Sequence, residues 1–141
     1  MSLQEINSLG KIMYQYKKHF TLDEARTHLP RLKYEMTEVL DLKSKLDAIG
    51  FNIYTRKYRP GFNPDTLTEF PEEFMQMLDI LQALNEDGII VKGVEEGLVD
   101  FPALRKNGEE VFLCWKEGEE DIEFWHSLST GFRGRRPMNE F

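Results

Sequence analysis

Val111-Phe112-Leu113-Cys114-Trp115, an acidic turn from Lys116 to Asp121, and Ile122-Glu123-Phe124-Trp125-His126 form the stretch that decides the fold. Two apolar, aromatic-rich runs around a turn centred on Gly118-Glu119 have the pattern of a β-hairpin. Leu98 to Leu104 and Ile89-Ile90-Val91 extend it upstream, so residues 88–127 are expected to form a small antiparallel meander. Asn107-Gly108 supplies a two-residue turn signal, because a type I′ turn needs positive φ at both central positions. Centring that turn sets Leu104 opposite Val111, Pro102 opposite Leu113 and Asp100 opposite Trp115. The next hairpin then sets Val111 opposite His126. One face would collect Leu104, Val111, Leu113, Trp115, Ile122 and Phe124, with Asp100 and His126 at its ends. The other would carry Phe101, Phe112, Cys114, Glu123 and Trp125. Pro102 has no N–H to give to a ladder, so its strand should be an edge there.

Upstream of the sheet the period is helical. Phe20-Thr21-Leu22-Asp23-Glu24-Ala25 reads as a capping box, with Thr21 and Glu24 serving each other's N–H groups. Leu22, Ala25, Leu29, Leu32, Met36, Val39, Leu40 and Leu46 then make one apolar stripe. They predict a long helix over residues 20–50, kinked near Arg26 to Pro30 or restarting there, and ended by Gly50. Residues 51–70 read as a long loop carrying Tyr54, Arg56, Lys57, Tyr58 and Arg59, followed by Pro60-Gly61 and Asn63-Pro64. A second helix over 71–87 opens at Pro71 and presents Phe74, Met77, Leu78, Leu81 and Leu84 on one face. Residues 1–19 are a short helix or a loose arm, and 128–141 an irregular arginine-rich tail. The fold class is therefore α+β, with a kinked long helix and a shorter helix packed on the meander. One domain is expected over 1–141, since a chain of 141 residues can bury a core of its own.

Composition narrows the function classes. No apolar run is long enough to span a bilayer and no basic-then-apolar leader opens the chain, so a cytoplasmic location without membrane attachment is expected. The single cysteine excludes an internal disulfide and a cysteine-only metal cage. A net charge of -7 argues against nucleic-acid binding, which relies on Lys and Arg at phosphates. A four-stranded sheet with apolar area on both faces makes a homodimer an expected partner state.

Several of these segments also carry a resemblance. Gly97-Leu-Val-Asp-Phe-Pro102, Leu113-Cys-Trp-Lys-Glu-Gly-Glu119, Trp125-His126 and Gly131-Phe-Arg-Gly-Arg135 resemble the prokaryotic domain-of-unknown-function 2203 family. Phe20-Thr21-Leu22, Glu24-Ala25 and Gly50-Phe51-Asn52-Ile53-Tyr54 fit the same pattern, so the resemblance covers most of residues 19–137. It implies small cytosolic proteins and no particular activity.

Both tryptophans, the cysteine and one of the three histidines fall between Cys114 and His126, which places any site there or beside it. His126 is the candidate catalytic residue, a base needing a carboxylate or an arginine-bound substrate near its ring. Trp125 is either packing or an aromatic wall for a ligand. Arg133, Arg135 and Arg136 either clamp an anion with their forks or pair with Glu117, Glu119, Glu120 and Asp121. Tyr54 and Arg56 of the long loop are expected to join them around one anionic ligand. Asp100 reads as a buried, hydrogen-bonded acid. Cys114 reads as a buried small hydrophobe, on the opposite face from His126. His19 and His28 complete no metal-binding spacing, and no metal or cofactor is indicated. The expected function is a non-enzymatic module engaging a protein partner or an anionic ligand; the alternative is a small enzyme using His126 as general base on an anionic metabolite.

Overall fold

The first helix begins where its capping residues put it. Thr21 Oγ1 accepts the Glu24 N–H at 3.1 Å, and donates to Glu24 Oε1 at 3.3 Å, so the box closes between side chains. Helix α1 spans Leu22–Thr27 and α2 spans Leu29–Ala48. Pro30 lies in the first turn of α2, where its missing N–H costs no hydrogen bond, so of the two expected outcomes the helix takes the restart, at His28. Leu29, Leu32, Met36, Val39, Leu42 and Leu46 form the buried side of α2. Helix α3 spans Glu72–Glu86, with Pro71 just ahead of it. It closes on Gly88 at φ 86, as Ile89 N–H reaches the Leu84 carbonyl at 2.9 Å.

The computed structural model describes residues 5–6, 12–62 and 70–141. Short strands β1 (Glu5–Ile6) and β2 (Ile12–Met13) pair antiparallel, so these residues of the arm are not helical. The expected long loop starts as a hairpin, β3 (Phe51–Asn52) against β4 (Lys57–Tyr58). The Asn52 carboxamide oxygen accepts the N–H groups of Tyr54 (2.8 Å) and Thr55 (3.1 Å), which turns the chain back. Phe51 is in the core. The Asn63-Pro64 turn lies outside the described residues.

The meander has five strands, β5 (Ile90–Gly93), β6 (Leu98–Leu104), β7 (Glu110–Lys116), β8 (Phe124–Ser127) and β9 (Arg136–Pro137), antiparallel and in sequence order. The last comes from the tail, which is thus not wholly irregular. Pro102 lies past the end of β5, whose pairing stops at Asp100, and its carbonyl accepts the Phe20 N–H at 2.7 Å. β6 is therefore an edge from Phe101 to Leu104, Pro102 included, as its missing N–H requires.

The register differs by one residue from the sequence expectation. Leu104 faces Glu110, Phe101 faces Leu113 and Asp100 faces Cys114. The turn is responsible. Gly108 N–H bonds the Arg105 carbonyl and Arg105 N–H bonds the Glu109 carbonyl, both at 2.9 Å, and only Gly108 has positive φ. That is a three-residue turn with glycine in the left-handed position, one residue longer than type I′. In the next hairpin Phe112 faces His126, Leu113 faces Trp125 and Cys114 faces Phe124, again one residue from expectation. There Asp121 Oδ1 accepts the Ile122 N–H at 2.7 Å, and β8 begins only at Phe124.

A one-residue slip moves every side chain to the other face. Val99, Phe101, Ala103, Val111, Leu113, Trp115 and Trp125 accordingly face the helices and join Leu32, Met36, Leu46 and Phe74 in one core. Trp115 is fully buried and donates its indole N–H to the Glu119 carbonyl at 2.9 Å. Arg26 to Asp121 (3.0 Å) and Lys33 to the Glu120 carbonyl (2.9 Å) tie the helices to the turn between β7 and β8. Asp100, Phe112, Cys114 and His126 are left together on the outer face, each at most 3% exposed.

Candidate functional site

Asp100 on β6, Cys114 on β7 and His126 on β8 are brought together by three adjacent strands. One oxygen, the sulfur and one ring nitrogen all lie within 4.8 Å of one another. The sequence reading put Cys114 on the opposite face from His126; the longer turns reverse that. His126 Nδ1 lies 2.8 Å from the Ser127 carbonyl, which can only accept, so Nδ1 carries hydrogen. Nε2 lies 3.1 Å from Asp100 Oδ1. Burial acts to lower the His126 pKa, but hydrogen bonds to Asp100 and Cys114, the Asp100 charge and the Ser127 carbonyl outweigh it. The pKa rises from 6.5 to about 10. The raised pKa favours the protonated ring, a hydrogen-bond donor to Asp100.

Beside the three lies a cavity of about 120 Å³, lined among others by Lys92, Phe112, Leu128 and Phe132. Lys92 Nζ sits 4.6 Å from the centre of the Phe112 ring. Arg135 lies on the other side of the cysteine, with Nη1 3.9 Å from Cys114 Sγ. Tyr16, from the arm, packs edge-on against Phe112 at 5.3 Å. The outer sheet face is thus roofed by the chain's own arm and tail.

The larger cleft, about 630 Å³, opens between the turn joining β6 to β7 and the tail. Arg105, Arg133, Arg135, Arg136 and Trp125 line it, with Glu109 as its one acidic side chain among the described residues. Two of the arginines are committed. Arg135 forks onto Glu119 at 3.1 and 2.8 Å, the pairing of tail and turn that the acid excess suggested. Arg105 holds Glu109 at 2.9 Å and the Phe141 and Glu140 carbonyls at 3.2 Å each. Arg133 and Arg136 are exposed and have no carboxylate partner among the described residues. The guanidinium carbons of Arg105 and Arg136 lie 4.5 and 5.6 Å from the centre of the Trp125 ring. Trp125 is 3% exposed, and its indole N–H has no acceptor among the described residues.

Tyr54 and Arg56 are elsewhere. Tyr54 is exposed beside a separate cavity with Lys43, Asp47, Arg59 and Glu95, where burial and then the Glu95 charge raise its pKa. Arg56, at φ 59, lies over the Phe74 ring at 5.7 Å. Tyr54 and Arg59 thus line one cavity and the tail arginines another, among the described residues. Sequence reasoning missed Cys114 as a partner of His126, Arg105 as a cleft wall, and Glu110. Glu110 is buried and accepts the Gln15 and Tyr16 N–H groups at 2.8 and 3.0 Å, with His19 Nε2 at 2.7 Å. In the sequence it follows Glu109 at the start of a strand and reads as a second solvated acid, with only Val111 beside it as a sign of burial.

The class defined by this geometry is an α+β domain with helices on one face of an antiparallel meander and polar sites on the other face and edge. Residues 18–138 match the family described as "Uncharacterized conserved protein (DUF2203)", and the chain belongs to that family. Comparison with curated proteins and with solved structures finds no match. No helix among the described residues is long and apolar enough to cross a membrane.

Proposed function

We propose that this protein is a binding module that holds an anionic ligand in the arginine cleft. The observation that carries the reading is the pair Arg133 and Arg136, without a carboxylate partner among the described residues, in a cleft of about 630 Å³ of a chain whose net charge is -7. The volume suits a small-molecule site. Guanidinium forks match carboxylate and phosphate oxygens in pairs, and the buried Trp125 ring backs Arg105 and Arg136. Arg105 and Arg135, locked by their own partners, hold the walls at fixed separation. The alternative reading, an enzyme with His126 as base, has its carboxylate in Asp100. It lacks an arginine free to hold substrate at that ring, since Arg135 is taken by Glu119.

The test is calorimetric titration of the full chain with inorganic pyrophosphate and with citrate, beside the double variant Arg133→Ala, Arg136→Ala. Saturable binding with a perturbed Trp125 emission is expected. The double variant should bind at least about ten-fold more weakly with an unchanged melting temperature, since two charge-assisted contacts are lost. Equal binding by wild type and variant, or no binding of either anion, overturns the reading.

A further inference from the structure

The geometry points to a divalent transition-metal site formed by Asp100, Cys114 and His126, with zinc as the ion it suits best. Bond lengths of about 2.0 Å to nitrogen and oxygen and about 2.3 Å to sulfur set tetrahedral donors roughly 3.3 to 3.5 Å apart. The Asp100–His126 contact is 3.1 Å and all three donors lie within 4.8 Å, so only small side-chain shifts separate them from that spacing. Each donor stands on its own strand of one hydrogen-bonded sheet, a rigid support for fixed geometry.

The histidine is oriented as a ligand is. Its Nδ1–H donates to the Ser127 carbonyl, the backbone anchor that aims Nε2 at the site, where a metal takes the place of the Nε2 proton. Nε2 faces a carboxylate oxygen and a sulfur, acceptors whose natural companion is a cation. A divalent ion with one carboxylate, one thiolate and a neutral imidazole is electrically balanced, which suits side chains at most 3% exposed. Binding releases the thiol proton, and any proton on Nε2, to solvent. Sulfur and nitrogen donors disfavour magnesium and calcium, which take oxygen ligands. Three protein donors leave a fourth position, and the adjoining cavity of about 120 Å³ has room for a water there.

The competing occupant of the same space is a proton shared between Asp100 and His126. Cobalt distinguishes the two, because a thiolate bound to cobalt gives a near-ultraviolet charge-transfer band and the chain has one cysteine. The full chain, stripped with chelator, is titrated with cobalt(II) and then with zinc(II). One cobalt per chain is expected, with the charge-transfer band and the strong visible absorption of a tetrahedral site, both bleached by zinc. Cys114→Ala should lose the band and bind at least about ten-fold more weakly, a lower bound taken from the cost of losing even an outer partner. Cobalt bound without the band, or no stoichiometric binding by the folded wild type, overturns the site. That wild-type readout decides the question even if the variant does not fold.

Discussion

His126 is the residue whose surroundings say most about how the protein should respond to pH. Asp100 on β6, Cys114 on β7, Lys92 in the cavity wall and Arg135 from the tail surround it, with Tyr16 above Phe112. Its pKa is raised by folding from 6.5 to about 10, so the folded state binds the proton more tightly than the unfolded chain does. The resulting stability is present in full below about pH 6.5 and is lost as pH rises through about 10. Urea unfolding in the presence of chelator should show this as a loss on the order of a few kcal/mol across that window. His126→Gln should lack the pH-dependent part. A difference between wild type and variant that stays constant from neutral to alkaline pH would refute the assignment. Glu110 shows the same economy: one buried carboxylate serves two arm N–H groups and His19, docking a segment that has little helical pattern of its own.

Among the elements, the turn from Arg105 to Glu109 has the largest effect on what the protein can do. Gly108 adopts φ 86, and among the described residues a Cβ there would meet Tyr14 Oη at 3.7 Å, an ordinary contact. A substitution at this position therefore probes the left-handed backbone conformation. Gly108→Ala should lower the unfolding free energy by about 1 kcal/mol, the cost of a left-handed L-residue. A shift of the urea midpoint at unchanged slope measures it; no shift would mean that the turn does not require glycine. The Asn107-Gly108 signal is legible in the sequence as a turn but not in its length. Two-residue and three-residue turns accept the same pair, and the choice decides whether Asp100 meets Trp115 or Cys114.

Over the whole molecule, charge is distributed against its total. The chain carries -7, yet the acidic turn is largely engaged by Arg26, Lys33 and Arg135, leaving Arg133 and Arg136 to set the field in the cleft. Attraction of an anion to such a cleft is screened by salt. Affinity for pyrophosphate should fall several-fold between about 0.1 M and about 1 M salt, as the screening length drops from about 10 to about 3 Å. Titration at several ionic strengths checks this, and a salt-independent affinity would mean that the arginines are not the recognition element.

The sequence by itself determined the α+β class, the outer ends of the helices, most of the apolar side of α2 and the order of the first four meander strands. These follow from local rules: caps, periodicity of 3.6 or 2, and glycine or proline at chain reversals. It also located the region of interest, since both tryptophans, Cys114 and His126 are close in the chain. What only the tertiary structure decided is which of those side chains meet. A strand alternates faces at every residue, so a turn longer by one residue exchanges Trp125 for His126 across the whole sheet. Distances between segments far apart in sequence were likewise out of reach, and the Tyr54 hairpin and the arginine tail end up lining different cavities. Local propensity sets the elements; register and docking, which depend on packing between them, set the sites.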